Sequence, residues 1–174
     1  TRAVTKELMD LGLHKEFDRR GGVRYHKRLW SCQHSKRSFT WQSRFFIPEC
    51  TPNDEAKAIV EKKLGDMGGF DQQSWGDNDV LDYSNVRPAL VSHPETKELV
   101  WCNHSNHNHK SWYEDIYDFT DPTEGTPFHT TFANNEPIPA ALIETIRSVL
   151  WKNSCVVKMR TGDVMLLDNM LCAH

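Results

Sequence analysis

Apolar side chains at Val4, Leu8, Leu11 and Leu13 fall near helical spacing. They predict an amphipathic helix over 3–13 that continues through His14-Lys15-Glu16-Phe17 to Arg20 and stops at Gly21-Gly22. Residues 23–30 then alternate, with Val23, Tyr25 and Lys27 on one face, and predict a strand. A polar loop covers 31–38. A second helix starts at Asn53-Asp54-Glu55, turns Ala56, Ile59, Val60 and Leu64 inward, and ends at Gly65 and Gly68-Gly69. From 70 to 103 the pattern is that of strands, predicted at 79–83, 87–92 and 98–102. His93-Pro94-Glu95-Thr96-Lys97 joins the last two as a hairpin. A long polar loop runs over 103–121. Pro137-Ile138-Pro139 leads into a helix over 140–150 with Leu142, Ile143, Ile146, Val149 and Leu150 inward. Two more strands are predicted, 155–159 and a buried apolar run Val164-Met165-Leu166-Leu167, separated by a turn at Thr161-Gly162-Asp163. The second run leads through Asp168-Asn169 to His174. The sum is one α+β domain with a mainly β core.

Composition narrows the function classes. The formal net charge is -3, so there is no electrostatic case for nucleic acid or an anionic membrane surface. Basic clusters at Arg19-Arg20, Arg24 to Arg28 and Lys36-Arg37 read as a solvated edge. No apolar stretch is long enough to span a bilayer. The five cysteines (Cys32, Cys50, Cys102, Cys155 and Cys172) are odd in number and form no C-x-x-C pair, which points to reduced thiols in an intracellular, reducing compartment.

Four segments carry a resemblance when taken in order. They are Val91-Ser92-His93-Pro94-Glu95-Thr96-Lys97-Glu98-Leu99-Val100-Trp101-Cys102-Asn103, then Thr130-Thr131-Phe132-Ala133-Asn134-Asn135-Glu136-Pro137-Ile138-Pro139, then Arg160-Thr161-Gly162-Asp163-Val164-Met165-Leu166-Leu167-Asp168-Asn169, and finally His174. Ser38-Phe39-Thr40-Trp41-Gln42-Ser43-Arg44-Phe45 adds a weaker match. Together they resemble the TauD/TfdA-like dioxygenases, the taurine dioxygenase and clavaminate synthase-like group. Ala133-Asn134-Asn135 stands where that family usually has Gly-Asp-Gly, so a changed turn is expected there.

The resemblance implies an incomplete double-stranded β-helix (a cupin-like jelly roll) with flanking helices. Residues 1–174 would be a fragment of one domain, lacking N-terminal and C-terminal parts. It implies oxygenation of a small polar substrate, by hydroxylation or desaturation, with Fe(II) and the co-substrate 2-oxoglutarate. In such enzymes two histidines and a carboxylate hold the iron, and a later arginine grips the keto acid. By position, His174 would be the distal metal ligand. The H-x-D/E pair would lie before Thr1 and the arginine after His174. Asn103 and Trp112 become substrate-binding candidates at the edge of the polar loop.

Several residues have plainer readings. His14-Lys15-Glu16 matches H-x-E, but residues two apart on a helix diverge and cannot share a metal. His104, His107 and His109 lack a neighbouring Cys or carboxylate at a familiar ligand spacing, so an incidental polar loop is favoured over a zinc-binding module. Trp41, Trp75 and Trp101 read as core, and His129 as a lone structural histidine. Asp168-Asn169 reads as a brace for the backbone that aims His174. The rival to an enzyme is a non-catalytic TauD/TfdA-like subunit, serving as a structural or binding component of a larger assembly.

Overall fold

In the computed structural model, which describes residues 1–34, 39–113 and 125–171, the first helical stretch forms as two helices, α1 (Arg2–Asp10) and α2 (Leu13–Asp18). Gly12 breaks it with φ 73°, a left-handed conformation that a residue without Cβ adopts freely. After α2 come β1 (Val23–Leu29), a short helix α3 (Trp41–Arg44) and the long helix α4 (Asn53–Met67). The chain then forms β2 (Gln72–Trp75), β3 (Leu81–Arg87) and the two-residue strands β4 (Val91–Ser92) and β5 (Leu99–Val100). It closes with β6 (Phe128–Phe132) and α5 (Ala140–Lys152).

Four strands make an antiparallel sheet in the order β2-β3-β1-β6. Register places His26 opposite both Ser84 and His129, and Arg28 opposite Asp82. Because strand side chains alternate, the sheet has two chemically distinct faces. One carries Val23, Tyr25, Leu29, Leu81, Tyr83 and Phe132 into two cores. The first core packs α1, α2 and α5 on the sheet through Val4, Leu8, Phe17, Ile143 and Ile146. The second packs α3 and α4 on it through Trp41, Val60 and Leu64. Trp41 is fully buried, and its indole Nε1 donates to the Asp79 carbonyl at 2.9 Å.

The opposite face is polar, with Arg24, His26, Arg28, Asp82, Ser84, His129 and Thr131 in register. Arg24 is 8% exposed and fully engaged there. It donates to the Ala133 carbonyl at 3.1 and 3.0 Å, to Ser84 Oγ at 3.0 Å and to Asp71 at 2.5 Å. Arg28 forms a two-pronged pair with Asp82 at 2.8 and 2.9 Å.

Several expectations change. The strand expected at 79–83 is displaced to Leu81–Arg87, because Asn78 and Asp79 turn with φ 53° and 57°. The strand expected at 87–92 is reduced to β4. The hairpin forms where it was predicted, with Val91 opposite Val100 and Lys97 at φ 61°. β2 and β6 were not foreseen.

The turn at Ala133-Asn134-Asn135 closes without glycine: Asn135 takes φ 70°, and Asn134 Oδ1 accepts the Glu136 N–H at 3.1 Å. Asparagine enters the left-handed region more readily than other residues with a Cβ.

The largest correction concerns 155–159 and 164–167. Neither is a strand, and Val156, Val164 and Leu166 are 99%, 93% and 97% exposed. A strand needs a partner for its N–H and C=O groups, and the apolar pattern finds none among the described residues. The described residues therefore form open antiparallel sheets and not a closed jelly roll.

Candidate functional site

Trp101, Cys102 and Asn103 leave β5 and enter the histidine loop alongside α5. Two adjoining clefts lie here. The first, of about 280 Å³, is walled by Trp101, Asn103, His104, His107, Asn169 and Met170. The second, of about 360 Å³, is lined by Trp112, Arg147, Trp151 and Cys155 and shares Asn106, His107 and Leu150 with the first. Asn103 and Trp112, nine positions apart in the loop, thus line adjoining clefts.

Local chemistry fixes each group. Asn103 braces the loop: its Nδ2 donates to the Ala89 carbonyl at 2.8 Å, and its Oδ1 accepts the Ser105 N–H at 3.1 Å. The Tyr25 hydroxyl accepts the His104 N–H at 3.0 Å, and Thr130 Oγ1 donates to the Ser105 carbonyl at 2.9 Å. These bonds tie the loop to β1 and β6. The Trp112 ring meets His107 edge-on at 5.2 Å, and the Arg147 guanidinium lies 5.3 Å from its centre.

Arg147 was not singled out from sequence, because it reads as the polar side of an amphipathic helix. It donates to the Asn106 carbonyl at 3.0 Å and pairs with Glu144, while its Nε has no partner. Trp101 is 4% exposed, core as expected, and its indole Nε1 is also unpartnered. Burial, with the nearby His104 and Arg147, lowers the His107 pKa and favours the neutral ring. The clefts therefore offer stacking surface and a neutral imidazole, a set suited to a small polar molecule.

The three loop histidines do not converge. His107 turns to Trp112, whereas His109, 3% exposed, turns to His129 at 5.2 Å. His109 Nδ1 accepts the Ser111 N–H at 3.3 Å and caps the turn Lys110–Trp112. His129 is not alone, as expected from sequence, but stacks on His26 at 6.1 Å. Burial, then His109, His26 and Lys110, push its pKa down to about 4. This row borders a larger polar cleft of about 700 Å³ over the sheet, where Arg28 is already paired with Asp82.

His14 and Glu16 both lie in α2, and Glu16 is held by Arg19 and Arg20 at 2.8 and 2.6 Å. They are not a ligand pair. Among the described residues no group of three His, Cys, Asp or Glu could hold a metal ion. His174 lies outside the described residues; the chain is last described at Leu171, next to Met170 in the wall of the first cleft. The described residues do not by themselves make an iron centre.

Among them, too, no helix is long and apolar enough to cross a membrane. Cys32, Cys50, Cys102 and Cys155 carry free thiols.

Comparison with known proteins bears on this arrangement. The dapdiamide synthesis protein DdaC of Enterobacter agglomerans is 29% identical over 104 residues, which cover 58% of this chain and 32% of that protein. The chain thus matches about a third of the length of that curated relative. The family model described as "Taurine catabolism dioxygenase TauD, TfdA family" matches residues 23–174, taking in the sheet, the hairpin, the histidine loop, α5 and the segment beyond it. Members of that family generally depend on Fe(II) and 2-oxoglutarate. The chain belongs to the TauD/TfdA family.

Proposed function

We propose that the protein of which this chain is part is an Fe(II)- and 2-oxoglutarate-dependent oxygenase that hydroxylates or desaturates a small polar molecule, amino-acid-like or an organic acid. One observation carries the reading. The cleft that holds Asn103 is walled by Asn169 and Met170, immediately before the stretch that ends in His174, and adjoins the cleft that holds Trp112. His174 is the one metal ligand assigned to this chain. The remaining ligands and the 2-oxoglutarate arginine belong to segments outside it.

The work of the described residues is binding and orientation. Trp112 and His107 stack on the substrate, Arg147 braces Trp112, and Asn103 holds the loop in place. The iron and keto acid, when bound, supply the oxidising chemistry. The jelly roll closes when 155–159 and 164–167 find strand partners. Alternation within the second run supports this, with Val164 and Leu166 at 93% and 97% exposed and Met165 and Leu167 at 40% and 41%.

The test is Fe(II)-dependent 2-oxoglutarate turnover by the full-length protein. His174→Ala abolishes it. Trp112→Ala and Asn103→Ala raise KM for the substrate roughly 2- to 10-fold, the value of a single net polar or ring contact, with turnover at saturation largely kept. Unchanged turnover in His174→Ala removes that residue from the mechanism. Absence of turnover in the wild-type protein, with any substrate class, favours a non-catalytic subunit.

A further inference from the structure

His93 sits at the mouth of the β4–β5 hairpin with its side chain 5% exposed. Its ring is fixed on both sides. Nδ1 accepts the N–H groups of Glu95 and Thr96 at 3.3 and 3.1 Å, so this nitrogen carries the lone pair and the ring proton is on Nε2. Nε2–H in turn donates to Asp168 Oδ2 at 3.0 Å, across 75 residues of sequence. The other carboxylate oxygen, Oδ1, accepts the N–H groups of Met170 and Leu171 at 2.9 and 3.2 Å. Those backbone bonds, with His93, hold the Asp168 carboxyl below its usual range.

Each member of this chain has one job. The hairpin turn sets the ring, the ring sets the carboxylate, and the carboxylate closes the turn from Asp168 to Leu171. Among the described residues, two hydrogen bonds join 155–171 to the body of the protein: His93–Asp168, the one made by side chains, and the Thr1 amine, which donates to the Leu171 carbonyl at 2.7 Å. The rest of that stretch is exposed up to Asn169.

We infer that His93 is a positioning residue, which through Asp168 fixes the place and direction in which the chain runs toward His174. The inference rests on the proposed role of His174 and adds a residue to it. Asp168 alone caps its own turn and fixes nothing relative to the body. His93 supplies a side-chain reference at Asp168, beside the main-chain one that Thr1 gives Leu171, because the β4–β5 hairpin is itself anchored. Thr5 Oγ1 accepts the Trp101 N–H at 2.8 Å, and Arg2 pairs with Glu98 at 2.8 Å.

The experiment uses the full-length protein with His93→Ala, His93→Gln, Asp168→Asn and the double change His93→Ala/Asp168→Asn. Two quantities are read: amide hydrogen exchange over 155–171, and affinity for Co(II) as a probe of the metal site. His93→Ala speeds exchange at Met170 and Leu171 about tenfold, the value of one hydrogen bond to a charged group, and weakens Co(II) binding. Asp168→Asn keeps the turn-capping oxygen but sets an amide donor against Nε2–H, and has a similar effect. The double variant is no worse than the worse single one. His93→Gln, whose amide donates toward Asp168, restores part of both readings.

Unchanged exchange in His93→Ala overturns the inference. So does faster exchange with unchanged Co(II) affinity, provided His174→Ala abolishes Co(II) binding. Co(II) binding that survives His174→Ala overturns the ligand assignment instead, and the exchange data then decide the role of His93 alone.

Discussion

Phe17→Ala should be among the most damaging single changes in the protein. The ring is fully buried, with Trp101 edge-on at 5.3 Å and Phe132 tilted at 5.1 Å. It therefore joins α2 to β6 and to the tryptophan that walls the candidate groove. Truncating a buried Phe to Ala costs about 3–5 kcal/mol, from lost transfer energy and the cavity left behind. Phe17→Leu keeps most of the apolar volume but loses both ring pairs. At about 0.5–1.5 kcal/mol per pair, that is about 1–3 kcal/mol. With a urea dependence of about 2 kcal/mol per molar, the unfolding midpoint falls by about 2 M for Ala and about 1 M for Leu. Urea titration followed by tryptophan fluorescence measures both. Equal midpoints for the two variants, or a fall under about 0.5 M for Ala at unchanged slope, would refute close packing at this junction.

Three further outcomes follow from the same geometry. Gly22 has φ 111°, and a Cβ there would stand 2.3 Å from the Arg87 carbonyl oxygen, so Gly22→Ala destabilises by at least about 2 kcal/mol in thermal or urea unfolding. Arg24→Met orphans the acceptors it serves and costs about 2–3 kcal/mol, below the full value for a buried pair because Asp71 is 42% exposed; a neutral result in urea unfolding would contradict this. His129 has its folded pKa lowered to about 4, so the unfolded chain binds more protons between pH 6.5 and 4. Its contribution is fully present above pH 6.5 and is lost as pH falls toward 4, with a slope of at most about 1.4 kcal/mol per pH unit. His129→Asn should flatten that stretch of a stability–pH curve, and an unchanged curve would exclude His129 as its cause.

Much of this protein is written locally. Val4 and Leu8 set the buried face of α1, Ala56, Val60 and Leu64 that of α4, and Ile143, Ile146 and Val149 that of α5. These were legible because helix periodicity needs only a few consecutive turns. β2 was not, because Gln72-Gln73-Ser74 is an exposed polar edge with no apolar alternation. β6 was hidden by reading Thr130-Thr131-Phe132 as a lead-in to α5, although Thr130 and Phe132 are buried as strand residues would be. The histidines show the same divide. The three in one loop read as incidental rather than as a metal site, and His107 and His109 turn to different neighbours, whereas His129, read as a lone histidine, acquires His26 from a strand more than a hundred residues earlier.

By itself the sequence determined the α+β class, the long helices α4 and α5 and the buried face of α1, the hairpin at His93 and the ordered motifs of the TauD/TfdA family, since each depends on short-range periodicity or residue order. Only the tertiary structure decided that one sheet face is apolar and the other polar, that Asn103 lines a cleft adjoining the one with Trp112 and Arg147, and that His93 holds Asp168. It also decided that the apolar runs at 155–159 and 164–167 remain unpaired among the described residues. The physical reason is that hydrogen bonds and side-chain packing between distant segments depend on strand register and helix docking, and these are set by the whole chain at once.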